Sequence, residues 1–145
     1  MLGRPQSAKI DLLKTVPLFS GLSRRHLTLI AKAADETTVA EGDILARQDK
    51  LGREFALILE GRVRVERDGK RLAWLGAGDF FGEMSIIDGL PRSATVVAET
   101  ATALLVIETR AFSALLDTTP GLQRKIMVGL CERLRAADAA LASVN

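Results

Sequence analysis

Residues 81–97 read Phe81-Gly-Glu-Met-Ser-Ile-Ile-Asp-Gly-Leu-Pro-Arg-Ser-Ala-Thr-Val-Val97. A glycine, a carboxylate and an arginine stand at fixed spacing between two strand-like stretches, with Asp88-Gly89 as the turn and Ala94-Thr95-Val96 resuming an extended run. Gly82 lets the backbone approach a ligand closely and opens a short helix, Glu83-Met84-Ser85, whose free N–H groups can face an anion. Arg92 presents a planar fork of donors matched to two phosphate oxygens and keeps its charge at physiological pH. The stretch reads as a cradle for a phosphate carried on a sugar. A Gly-Glu or Pro-Arg pair alone would carry no such message, since most are exposed turns; the spacing decides.

The flanking sequence predicts an all-β unit over about 37–108. Short segments rich in Val, Ile, Leu and Thr are punctuated by Glu41-Gly42-Asp43, Glu60-Gly61, Asp68-Gly69 and Gly76-Ala77-Gly78-Asp79. Residues 62–66 alternate polar with apolar and lead into Asp68-Gly69, a dipeptide suited to a tight hairpin whose central residues need positive φ. Gly76, Gly78 and Gly82 read first as backbone turns. Before the β-unit, residues 8–34 fit two short helices, interrupted at Pro17 and Ser20-Gly21, with Ser23 as N-cap of the second. After it, Thr109 is placed as the N-cap of a short helix, and Pro120 starts a longer one reaching about 142. On that helix Leu122, Ile126, Leu130, Leu134, Ala137 and Leu141 recur as one apolar stripe, which needs a partner surface.

At 145 residues and net charge +2, the chain reads as one domain over 1–145, large enough for a core without metal or disulfide. Lysines and arginines are scattered among acids, so no basic stripe points to nucleic acid. No run approaches a membrane span and no secretory signal opens the chain. Cys131 is the single cysteine, read as a buried or inert thiol, which fits a reducing cytoplasm. His26 is the single histidine and precedes the β-unit, so neither a histidine metal site nor a nucleophile with a histidine base is built there. The chain is expected to be a cytoplasmic protein that is not an enzyme.

The 81–97 stretch resembles the phosphate-binding cassette of cyclic nucleotide-binding domains, of the catabolite-activator and protein kinase A regulatory-subunit type. That pattern is Phe-Gly-Glu, two apolar or small residues, a turn, then Pro-Arg, a small residue, Ala-Thr and Val. The resemblance extends over about 12–141 and implies a jelly-roll β-roll of about eight short strands with flanking helices. It implies cyclic AMP as the ligand, with cyclic GMP the alternative, and no other cofactor or metal. Arg92 would be the main phosphate ligand, aided by Gly82, Met84, Ser85 and Ser93, while Glu83 accepts from the ribose 2′-hydroxyl. Val65 and Leu72 would line the ribose and base.

On the C-terminal helix, Arg133 matches a helix arginine near the ligand in the dimeric bacterial regulators. Where those proteins offer a threonine and serine pair to adenine, this chain has Ala137 and Asp138; Asp138 would accept from the adenine 6-amino group. The expected function is a sensor that moves its C-terminal helix on binding, with a homodimer through that helix or an effector protein as partner. The competing readings are a nucleotide-free interaction module and a fragment of a transcription regulator. Because the sequence stops at Asn145 without a helix-turn-helix, direct DNA binding is not expected.

Overall fold

A computed structural model of the chain describes residues 5–144. The helices are α1 (Gln6–Lys14), α2 (Arg24–Ala33), α3 (Glu83–Asp88), α4 (Thr109–Thr118) and α5 (Pro120–Val144), with a 3-10 turn at Pro17–Phe19. The strands are β1 (Ala34–Val39), β2 (Ile44–Ala46), β3 (Glu54–Glu60), β4 (Val63–Arg67), β5 (Lys70–Leu75), β6 (Phe80–Phe81), β7 (Thr95–Ala98) and β8 (Thr102–Glu108). They form two antiparallel sheets, ordered β1-β8-β3-β6 and β2-β7-β4-β5, the expected jelly-roll.

The two sheets enclose a first core of Ala46, Ala56, Ile58, Val63, Phe81, Val96 and Leu104. A second core lies on the other face of β3 and β8, where Phe55, Leu57, Leu105 and Ile107 meet Leu13, Phe19, Ile30, Phe112, Leu122 and Ile126 of the helices. Phe55 stacks on Phe112 with ring centroids 3.9 Å apart. Residues 55–58 of β3 are therefore buried on both sides, which explains why Phe55-Ala-Leu-Ile58 is a continuous apolar run rather than an alternation.

Local chemistry sets the ends. Ser23 caps α2 by accepting from the His26 N–H at 3.2 Å, as expected. At the far end of α2, Lys9 Nζ donates to the carbonyls of Ala31 and Ala34 at 3.1 and 2.7 Å, placing a cation on the last turn. Asp68 and Gly69 take φ of 52° and 77° in the β4–β5 hairpin. Strand β1 starts at Ala34, earlier than position 37, because Ala34 is already paired with Ile107. Thr109 is not an N-cap: α4 begins on it, Glu108 holds the cap position without a side-chain bond, and the Thr109 hydroxyl is buried without a partner.

The expected stripe on α5 divides. Leu122 and Ile126 are buried in the helical core, whereas Leu134 is 63% and Leu141 68% exposed. The helix outruns the core that supports its first turns, and beyond Leu130 it passes beside the β-roll instead. Cys131 lies exposed on this helix rather than buried. Lys125 anchors the packed end by donating to the Pro17 carbonyl at 3.0 Å and to Ser20. No helix among the described residues is long and apolar enough to cross a membrane.

Candidate functional site

A cavity of about 390 Å³ opens between β4, β5, the α3 cassette and α5. Its lining includes Val65, Leu72, Gly82, Glu83, Met84, Ser85, Arg92, Ser93 and Arg133, drawn from four separated segments. Asp138 is not brought there. It is exposed and outside the lining, and α5 turns Ala136, Ala137 and Ala140 to the cavity. Arg67, Ala73 and Leu75 also line it and were not singled out by the sequence.

Gly82 holds φ of 96°, and a Cβ there would collide with the Glu54 carbonyl and the Arg92 guanidinium. Only glycine allows this start to α3 at this approach. Arg92 is held at its backbone: its N–H donates to the Lys50 carbonyl, and the Asp49 N–H donates to the Arg92 carbonyl, both at 2.8 Å. Its Nη2 donates to the Glu54 carbonyl at 2.8 Å. A side chain at Gly52 would occupy the space of this guanidinium. Gly52 is thus part of the cradle, and its signal in the sequence was only an unassigned glycine between strands. Burial lowers the Arg92 pKa, opposed by the nearby charges of Glu83 and Glu54. Arg67 Nε donates to the Ser93 carbonyl at 2.9 Å, steadying the backbone just after Arg92.

Glu83 is 2% exposed. Its Oε1 accepts from Arg133 Nη1 at 2.6 Å, while its Oε2 is buried with no partner. Arg133 also donates to the Phe80 carbonyl and lies 4.6 Å over the Phe80 ring. One turn earlier, Gly129 lets α5 close on that ring, since a Cβ would come 2.6 Å from Phe80 Cζ. Replacing Gly129 with Leu gains up to about 1 kcal/mol of helix propensity but overpacks against a buried ring at a cost of about 1–3 kcal/mol. Chemical denaturation of Gly129→Leu should show net destabilisation; a more stable variant would mean that α5 is not seated on Phe80.

Burial raises the Glu83 pKa above the ordinary carboxylate range, and the charges of Arg133 and Arg92 only partly offset it. A carboxyl whose pKa is raised on folding contributes stability below its unfolded pKa and loses that contribution as pH rises through the folded value. Thermal stability of the parent should therefore fall, relative to Glu83→Gln, as pH climbs from the ordinary carboxylate range through the raised value. Parallel melting-temperature profiles for the two proteins would contradict the shift.

The arrangement offers a guanidinium held for an anion, a desolvated carboxylate oxygen lacking a donor, and an apolar wall. The family described as "Cyclic nucleotide-binding domain" matches residues 36–119. The chain is 38% identical to a cyclic nucleotide-gated potassium channel of Rhizobium etli, over 85% of this chain and 34% of the channel. It superposes on the catabolite activator protein of Thermus thermophilus with a TM-score of 0.74 and 33% identity, over 88% of this chain and 62% of that one. The cAMP-bound regulatory domain of Toxoplasma gondii PKA gives a TM-score of 0.77 at 24% identity, over 88% of this chain and 50% of that one, a likeness of fold. The chain spans less than two thirds of the length of each of these proteins. Matched by the family over more than half its length, and by the Thermus protein over 88% of it, this chain belongs to the cyclic nucleotide-binding domains.

Proposed function

We propose that the cavity binds a 3′,5′-cyclic nucleotide, cyclic AMP in preference to cyclic GMP, and that the chain acts as a sensor with no chemistry of its own. One observation carries the reading: Glu83 Oε2 is a buried acceptor without a donor, on a carboxylate that lines the same cavity as Arg92. A buried acceptor left unsatisfied is costly, and a ribose 2′-hydroxyl is a donor of the right kind. Arg92 then takes the cyclic phosphate, with Ser93, Ser85 and the backbone at Gly82 and Met84 around it. The lean toward cyclic AMP rests on the relatives, the Thermus cyclic AMP receptor protein and the cAMP-bound regulatory domain, because Asp138 is outside the cavity.

Occupancy reaches α5 through Arg133, which joins that helix to Glu83. A ligand shifts the helix only as far as its contacts differ between the two positions, and a hydroxyl donating to Oε2 of the carboxylate that Arg133 holds supplies such a difference. The exposed Met127, Leu134 and Leu141 on α5 are the surface for a homodimer, or for an effector protein. Calorimetric titration with cyclic AMP and cyclic GMP tests the binding. Amide exchange should show altered protection over 82–92 and along α5 when ligand is added. Heat of binding with changes confined to 82–92 would leave the sensor without this output, and no heat with either nucleotide would favour the nucleotide-free interaction module.

A further inference from the structure

We infer that the base end of the cavity holds a purine by apolar contact, so that the preference for cyclic AMP over cyclic GMP and cyclic inosine 3′,5′-monophosphate stays within about tenfold in affinity. This rests on the cyclic-nucleotide reading of the same cavity and sets how finely it can discriminate. The polar groups gather at one end. Glu83, Ser85, Arg92 and Ser93 belong to the cassette, Arg133 is committed to Glu83 and the Phe80 carbonyl, and Arg67 gives its Nε to the Ser93 carbonyl beside Arg92. The rest of the wall is hydrocarbon, with Val65, Leu72 and Leu75 on the sheet side and Ala136 and Ala137 on α5.

Purines share an apolar face and differ at the edge. Adenine carries an amino donor at C6, guanine a carbonyl there with an amino group at C2, and hypoxanthine the carbonyl without either amino group. Telling them apart needs a side-chain donor or acceptor at that edge, and methyl groups supply none. Ala136 and Ala137 are exposed, so water reaches the slot and satisfies each edge in its own way. A site that hydrogen-bonds a substrate group rejects the analogue lacking it by orders of magnitude, whereas an apolar pocket discriminates weakly. Asp138, the residue that would have read an amino group, is outside the cavity lining.

The test is calorimetric titration of the full chain with the three nucleotides in one buffer. The three Kd values should fall within about tenfold of one another, and any pair separated by more than that overturns the inference. Tight binding with sharp selectivity would leave the cyclic-nucleotide reading standing; no binding by any of the three would remove that reading and this inference with it. Ala137→Leu narrows the slot from the helix side and should weaken all three by a common factor of about five or more. A smaller loss, or one confined to a single nucleotide, would take α5 out of the base slot and overturn the inference.

Discussion

Arg92→Ala should weaken cyclic nucleotide binding by about 2–5 kcal/mol, the cost of truncating one partner of a buried charge pair. The loss is large because residues 49–50 hold the Arg92 backbone, while the Glu54 carbonyl and the space left at Gly52 and Gly82 seat its guanidinium. The two other arginines that line the cavity have partners of their own: Arg133 pairs with Glu83, and Arg67 Nε donates to the Ser93 carbonyl. The fold should survive, since Arg92 belongs to neither core. Titration calorimetry on a variant with an unchanged far-ultraviolet spectrum is the measurement. A variant that binds within twofold of the parent, a difference of about 0.4 kcal/mol by the affinity relation, would remove Arg92 from the site.

Glu83→Ala should cost the ribonucleotide roughly 1.5–3 kcal/mol, the range for a hydrogen bond to a charged group. A 2′-deoxy cyclic nucleotide should lose much less, because it lacks the hydroxyl that Oε2 would accept. The comparison separates two roles the structure gives Glu83. As a ligand-facing acceptor it matters only when a hydroxyl is present, and as the anchor of Arg133 it matters to both nucleotides alike. Equal losses would assign Glu83 to holding α5 and not to the ribose.

Much of this was legible because it depends on local chemistry. The Gly82–Arg92 spacing, the Asp68-Gly69 turn and the Ser23 cap each follow from backbone demands that few residues meet, and the jelly-roll followed from the resemblance. The misses share a different cause. Periodicity marked an apolar face on α5 but could not show where the core beneath it stops, so Leu134 and Leu141 were grouped with Leu122 and Ile126. Asp138 was assigned to the ligand and Ala137 to the apolar stripe, yet consecutive helix residues diverge by about 100°, and of the two only Ala137 meets the cavity. Gly52 and Arg67 enter the cradle from strands and turns remote in the sequence, where neither spacing nor composition sets them apart.

The anchoring of α5 at one end has a mechanical consequence. Leu122, Ile126 and the Lys125 contacts to Pro17 and Ser20 fix the first turns, while the later turns have no comparable burial. The helix is therefore a cantilever with its pivot near Ile126 and an arm running to Val144, about 27 Å at the rise of an α-helix. A tilt of about 10° at the pivot carries the far end about 5 Å, the rise of nearly one helical turn. Arg133 grips this arm about 10 Å from the pivot, so under the proposed sensor reading a displacement at Glu83 would arrive at the tip magnified two- to threefold.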